Sequence, residues 1–142
     1  MTLEMSQLRV LFRFWTWLFG LGGLIFFLFP DRVIASLNET STFLPFLEPW
    51  PEIGASFWLP LAVSLMTTLT LLCVWIVRNL EDAQALVIAI LVSKSTSSLV
   101  FFFFYIRQNF AAPFFWGALT DGLIFLITFY FYKRAMDSLK KP

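Results

Sequence analysis

Four long apolar stretches, separated by short polar punctuation, set the pattern of the chain: VLFRFWTWLFGLGGLIFFLF over 10–29, FWLPLAVSLMTTLTLLCVWIV over 57–77, AQALVIAILVSKSTSSLVFFFFYI over 83–106 and FFWGALTDGLIFLITFYFY over 114–132. A hydrocarbon core of about 30 Å is crossed by roughly 20 apolar residues of helix, so each stretch predicts one membrane span. Arg9 and Arg13, at the start of the first apolar run, resemble the start of a secretory signal. Its length, its two tryptophans and the lack of a small-residue cleavage site argue instead for a permanent helix. The expected fold is all-α, a four-transmembrane-helix bundle, with residues 1–142 forming a single transmembrane domain.

Composition agrees with that pattern: 59% of residues are hydrophobic, 20% aromatic and 13% charged. Soluble domains carry about a quarter charged residues, so the solvent for most of this chain is lipid. A net charge of +1 offers no basic surface for nucleic acid. With no histidine and a single cysteine, His-based triads, His-ligated metals, disulfides and thiolate clusters are excluded. Cys73, inside an apolar run, reads as a small buried hydrophobe. No catalytic residue, metal or cofactor is expected.

Lys and Arg are distributed unevenly around the spans. Arg9, Arg13, Arg78, Lys133, Arg134, Lys140 and Lys141 fall on one side, against Arg32 and Arg107 on the other. The positive-inside rule then puts both termini in the cytoplasm and the long connection, residues 30–56, outside. In that loop Asp31 is expected to cap a short helix with Val33, Ile34 and Leu37 on its apolar face, while Pro45, Pro49 and Pro51 interrupt regular structure. The loop is either a lid on the membrane surface or a plain connector. The six tryptophans read mostly as interfacial belt residues.

Polar and small residues fall at similar depths in the four spans. Gly20, Gly22 and Gly23 lie on the first, Ser64, Thr67 and Thr68 on the second, Ser97 and Ser98 on the third, Thr120 and Asp121 on the fourth, each about 9 to 16 Å from the outer edge. Their polar sides are expected to face one another around Lys94, with the phenylalanines toward lipid and Ala118 and Gly122 allowing close helix approach. A lysine at mid-bilayer costs roughly 2.5 to 3.5 kcal/mol, so a partner or a wet cavity must compensate it. Asp121 is the one carboxylate within a span. An axial gap of about 8 Å and divergent side-chain directions favour a water- or ligand-bridged pair in an outward-opening cavity, with a direct salt bridge, backbone carbonyls or a second subunit as alternatives.

The glycine-containing first span running into a proline, FGLGGLIFFLFPDRVIASLN, followed by an extracytoplasmic segment and three closely spaced spans, resembles the DoxX-like and DUF4345-like small four-helix membrane proteins. The resemblance implies a compact bundle in a bacterial inner membrane and transfers no catalytic residues. The polar layer suggests a binding or accessory protein for an amphipathic or lipid-like molecule, using Lys94, Asp121, Ser97, Ser98, Ser64, Thr67, Thr68 and Thr120. Alternatives are a small oligomeric transporter that exchanges partners at Lys94 and Asp121, and a lipid-modifying enzyme with Lys94 as base or Schiff-base nucleophile. Expected partners are membrane lipids, a hydrophobic small molecule, and a second copy or a larger membrane complex.

Overall fold

The computed structural model describes residues 2–49 and 59–139, and five helices make up nearly all of them: α1 Leu3–Leu28, α2 Pro30–Glu39, α3 Leu59–Arg78, α4 Gln84–Arg107 and α5 Ala112–Leu139. Four of these, α1, α3, α4 and α5, are long and apolar enough to cross a membrane, which by length and composition marks an integral membrane protein. The start of the second expected span, together with Trp50, Pro51, Trp58, Lys140 and Lys141, lies outside the described residues.

Two helices overrun the expected spans, because a helix need not stop where its apolar run stops. Helix α1 begins seven residues early, at Leu3, where the Thr2 side chain accepts the Met5 N–H at 3.3 Å and Glu4 adds a favourable charge in the first turn. Helix α5 continues seven residues past 132 to Leu139. The two extensions brace each other. The Thr2 and Ser138 hydroxyls bond at 3.0 Å, Glu4 and Arg134 approach to 4.0 Å, and Met5, Leu8 and Ala135 are buried nearby.

Helix α1 ends for a local reason: Pro30 disfavours helical geometry in Phe29, which sits at φ −137° and ψ 50°. Pro30 then opens α2, and Asp31 occupies its first turn rather than the cap expected for it. Proline is suited to that first position, since its missing N–H would have had no partner there. Val33, Ile34 and Leu37 are the half-buried apolar face of α2, as the spacing indicated, while Asp31, Arg32, Ala35 and Ser36 are exposed.

The bundle core follows a three-four spacing along each long helix. Met5, Leu8, Phe12, Trp15, Phe19 and Gly23 are the buried residues of α1, and Leu69, Cys73 and Ile76 those of α3. On α4 they are Val87, Ile90, Leu91 and Lys94; on α5 they include Asp121, Ile124, Thr128 and Ala135. Such a seam packs helices at shallow crossing angles. Lys94 and Asp121 therefore occupy core positions of their helices. Packing is concentrated in two pairs, α1 with α3 and α4 with α5, joined mainly by α1 against α5; α3 and α4 meet only sparsely although they are consecutive.

Small residues set these close approaches, as packing in lipid requires. A Cβ on Gly117 would sit 2.9 Å from the Phe101 ring, and one on Gly122 would sit 3.0 Å from Ser98 Oγ. Phe101 thus fills a notch in α5 instead of facing lipid. Its neighbours Phe102, Phe103 and Phe104 are exposed, as expected.

Residues 40–49 are held against the α4/α5 turn. The Glu48 N–H donates to Phe110 O at 3.0 Å and Glu48 O accepts from the Ala112 N–H at 2.8 Å, a single parallel β-bridge with Ala111. Leu47 is buried, and the Phe46 ring meets Phe115 edge-on at 5.7 Å. The turn places Asn109 and Phe110 at φ 50° and 61°. That region is strained for a bulky residue. Phe110 is held there by its N–H bond to Tyr105 O at 2.9 Å and an edge-on contact with the Tyr105 ring at 5.2 Å.

Candidate functional site

Lys94 Nζ donates to Asp121 Oδ1 at 2.7 Å, with side-chain exposures of 4% and 12%. The pair is therefore direct, contrary to the bridged arrangement that the depths suggested. Two features close the gap. Lys94 lies thirteen residues from Arg107 and Asp121 nine from Ala112, so the axial offset is about four residues, roughly 6 Å. The second is the close approach of α4 to α5 at Gly117 and Gly122, which lets the flexible four-carbon lysine stem cover the remainder.

The environment of the ammonium is apolar on its other side. The Phe19 ring of α1 lies 4.9 Å from Nζ, within cation–π range. Among the described residues, Asp121 is the one hydrogen-bond acceptor for Lys94, although an ammonium has three N–H donors. Oδ2 of Asp121 likewise has no donor among them. A buried ion pair repays its desolvation only when good geometry is joined by further hydrogen bonds to the remaining protons and lone pairs. Here the geometry is good, and among the described residues no further hydrogen bond reaches either group. The site retains donor capacity on nitrogen and acceptor capacity on oxygen.

The hydroxyls expected around it divide into two groups. Ser98 belongs to the α4/α5 contact, where its Oγ donates to Ala118 O at 2.8 Å. Ser97 is half-buried on α4. Ser64, Thr67, Thr68 and Thr120 are exposed on the outside of the bundle, so the polar sides of the four helices do not all converge. The oxygens of three of them are occupied within their own helices: Thr67 donates to Val63 O at 2.8 Å, Thr68 to Ser64 O at 2.9 Å, and Thr120 to Trp116 O at 2.7 Å. Such back-bonding lets a hydroxyl face an apolar medium, and it removes the need for a polar interior. Depth alone did not determine the face.

Trp15 is corrected in the same way. Expected as a belt residue, it is 4% exposed in the core and donates from Nε1 to Thr128 Oγ1 at 3.0 Å, a further polar tie between α1 and α5. Trp17 and Trp75 do face outward. The signal for Trp15 was its place in the three-four series that also contains Phe12 and Phe19. Trp116 donates to Thr40 Oγ1 at 2.9 Å, linking α5 to the end of α2. Among the described residues no group of histidine, cysteine, aspartate and glutamate side chains is arranged to hold a metal ion.

No protein-family model matches the chain, and comparisons with curated proteins and with solved structures find no match.

Proposed function

We propose that the chain is a small binding or accessory protein of the bacterial inner membrane, with both termini cytoplasmic, that holds an amphipathic, lipid-like molecule against the Lys94 and Asp121 pair. The orientation rests on Arg9, Arg13, Arg78, Lys133 and Arg134 lying at the end of the bundle that carries the termini. A resemblance to DoxX-like and DUF4345-like proteins is part of the same reading.

One observation carries it: the direct 2.7 Å ion pair is largely buried among helices, yet among the described residues neither Lys94 Nζ nor Asp121 Oδ2 has a further hydrogen-bond partner. A purely structural pair in lipid gains by filling that capacity from the protein, whereas a binding pair leaves it for the ligand. The decisive experiment is native mass spectrometry of protein released from lipid nanodiscs. A retained small-molecule adduct that disappears in the double variant Lys94→Met with Asp121→Leu, which removes the pair without orphaning either charge, supports the reading. Equal adduct in parent and double variant, or none in the parent, refutes it.

The division into two helix pairs that meet sparsely along α3 and α4 favours a second reading, an oligomeric transporter in which the pairs rock about α1 and α5. Counterflow into liposomes that Asp121→Asn abolishes would select it.

A further inference from the structure

Between α1 and α3 runs a partly open groove of about 140 Å³, lined by Phe19, Gly20, Gly23, Thr67, Thr70 and Leu71. An apolar space of about 150 Å³ accepts a benzene-sized group. The groove therefore has room for a short run of hydrocarbon. Its two threonines offer no free donor, because Thr67 bonds Val63 O and Thr70 bonds Met66 O, each at 2.8 Å. Thr67 and Leu71 are exposed, so the open side faces the membrane.

Phe19 belongs to both places. It lines the groove, and its ring covers the Lys94 ammonium at 4.9 Å. It is thus the wall between a hydrocarbon-sized groove and a buried ion pair with spare hydrogen-bonding capacity. Gly20 offers no side chain to obstruct the ring on the groove side, where even a Cβ would still leave 3.6 Å to Thr70.

The head group follows from charge. Lys94 and Asp121 already neutralise each other at 2.7 Å, so an anion would set a second negative charge beside Asp121 and a cation a second positive charge beside Lys94. A neutral hydroxyl adds neither. It can accept from Nζ while donating to Oδ2, using one spare donor and one spare acceptor with a single group. We propose that the groove holds a short stretch of the chain of a neutral, hydroxyl-headed amphiphile, a long-chain alcohol, and that rotation of Phe19 admits the head to Lys94 and Asp121. The inference rests on the binding function proposed above and adds the route, the chain site and the class of head group.

The test uses the full chain in nanodiscs and a long-chain alcohol carrying a diazirine in its tail, with labelled peptides mapped after irradiation. Label is expected in the segments containing 19–23 and 67–71. Gly20→Leu, which fills the groove, should lower it at least tenfold, and Thr67→Trp, substituted from the exposed face, should do the same if Gly20→Leu fails to fold. Excess unlabelled alcohol should compete, whereas a quaternary amine with the same chain should not. Labelling within twofold of the parent in the groove-filling variant overturns the proposal, as does label confined to the exposed phenylalanines 102–104 or equal competition by the amine. The two readings fail separately: loss of the native adduct in the double variant Lys94→Met with Asp121→Leu, with no label in the groove of the parent, sinks the chain site alone. Adduct and groove label that both survive the double variant sink the role of the ion pair.

Discussion

Removing one partner of the Lys94 and Asp121 pair should be far more damaging than removing both. Among the described residues, Lys94→Met leaves the Asp121 carboxylate with no hydrogen-bond partner, and Asp121→Leu leaves the ammonium with only the Phe19 ring at 4.9 Å. With side-chain exposures of 4% and 12%, neither orphaned group reaches much solvent. Breaking a buried pair from one side costs about 3 to 5 kcal/mol, whereas replacing both partners with apolar side chains is often neutral or stabilising. The double variant Lys94→Met with Asp121→Leu should therefore lie within ~1 kcal/mol of the parent, which implies a coupling energy of at least ~5 kcal/mol. Reversible unfolding in bicelles, measured for all four proteins, gives that number directly. Additive single effects, with coupling below about 0.5 kcal/mol, would refute a direct ion pair in a closed core.

Other parts of the bundle make equally specific demands. Gly117→Ala places a methyl 2.9 Å from the Phe101 ring and should destabilise by about 1 to 3 kcal/mol in the same unfolding assay, with recovery when Phe101→Leu is added. Trp15→Phe removes the donor to Thr128 and should cost about 0.6 to 1.7 kcal/mol, an effect that vanishes in a Thr128→Val background. Glu48→Pro deletes the N–H that bonds Phe110 O, so hydrogen exchange at the Ala112 amide should quicken while exchange within α3 stays unchanged. Thr68→Val and Thr120→Val, on outward-facing back-bonded side chains, should each change stability by less than about 0.5 kcal/mol.

What the sequence made legible was governed by one-dimensional signals. The four spans follow from runs of apolar residues, and the apolar face of α2 from the spacing of Val33, Ile34 and Leu37, because lipid imposes length and periodicity directly. The extents of α1 and α5 were less legible. Outside the apolar run, helix is maintained by Thr2 capping and by contacts between the two ends, which depend on residues 136 positions apart. Lys94, Asp121 and Ser98 stood out as polar residues in lipid, and they do share the α4/α5 contact. Ser64, Thr67, Thr68 and Thr120 carried the same signal and face outward, since a threonine can satisfy its hydroxyl on its own helix. A lysine carries a charge that a backbone carbonyl does not neutralise. Trp15 was misplaced because an indole suits both an interface and a core that supplies an acceptor, and Thr128 supplies it.

The direct contact between Lys94 and Asp121 is tested most sharply by solid-state NMR in lipid bilayers, with dipolar recoupling between ¹⁵Nζ of lysine and ¹³Cγ of aspartate. A nitrogen 2.7 Å from Oδ1 predicts rapid dephasing of one lysine signal, lost in Asp121→Asn prepared with unlabelled asparagine. No dephasing above that control would mean that the two groups stand apart in the membrane, and the account of the site built on their contact would be wrong.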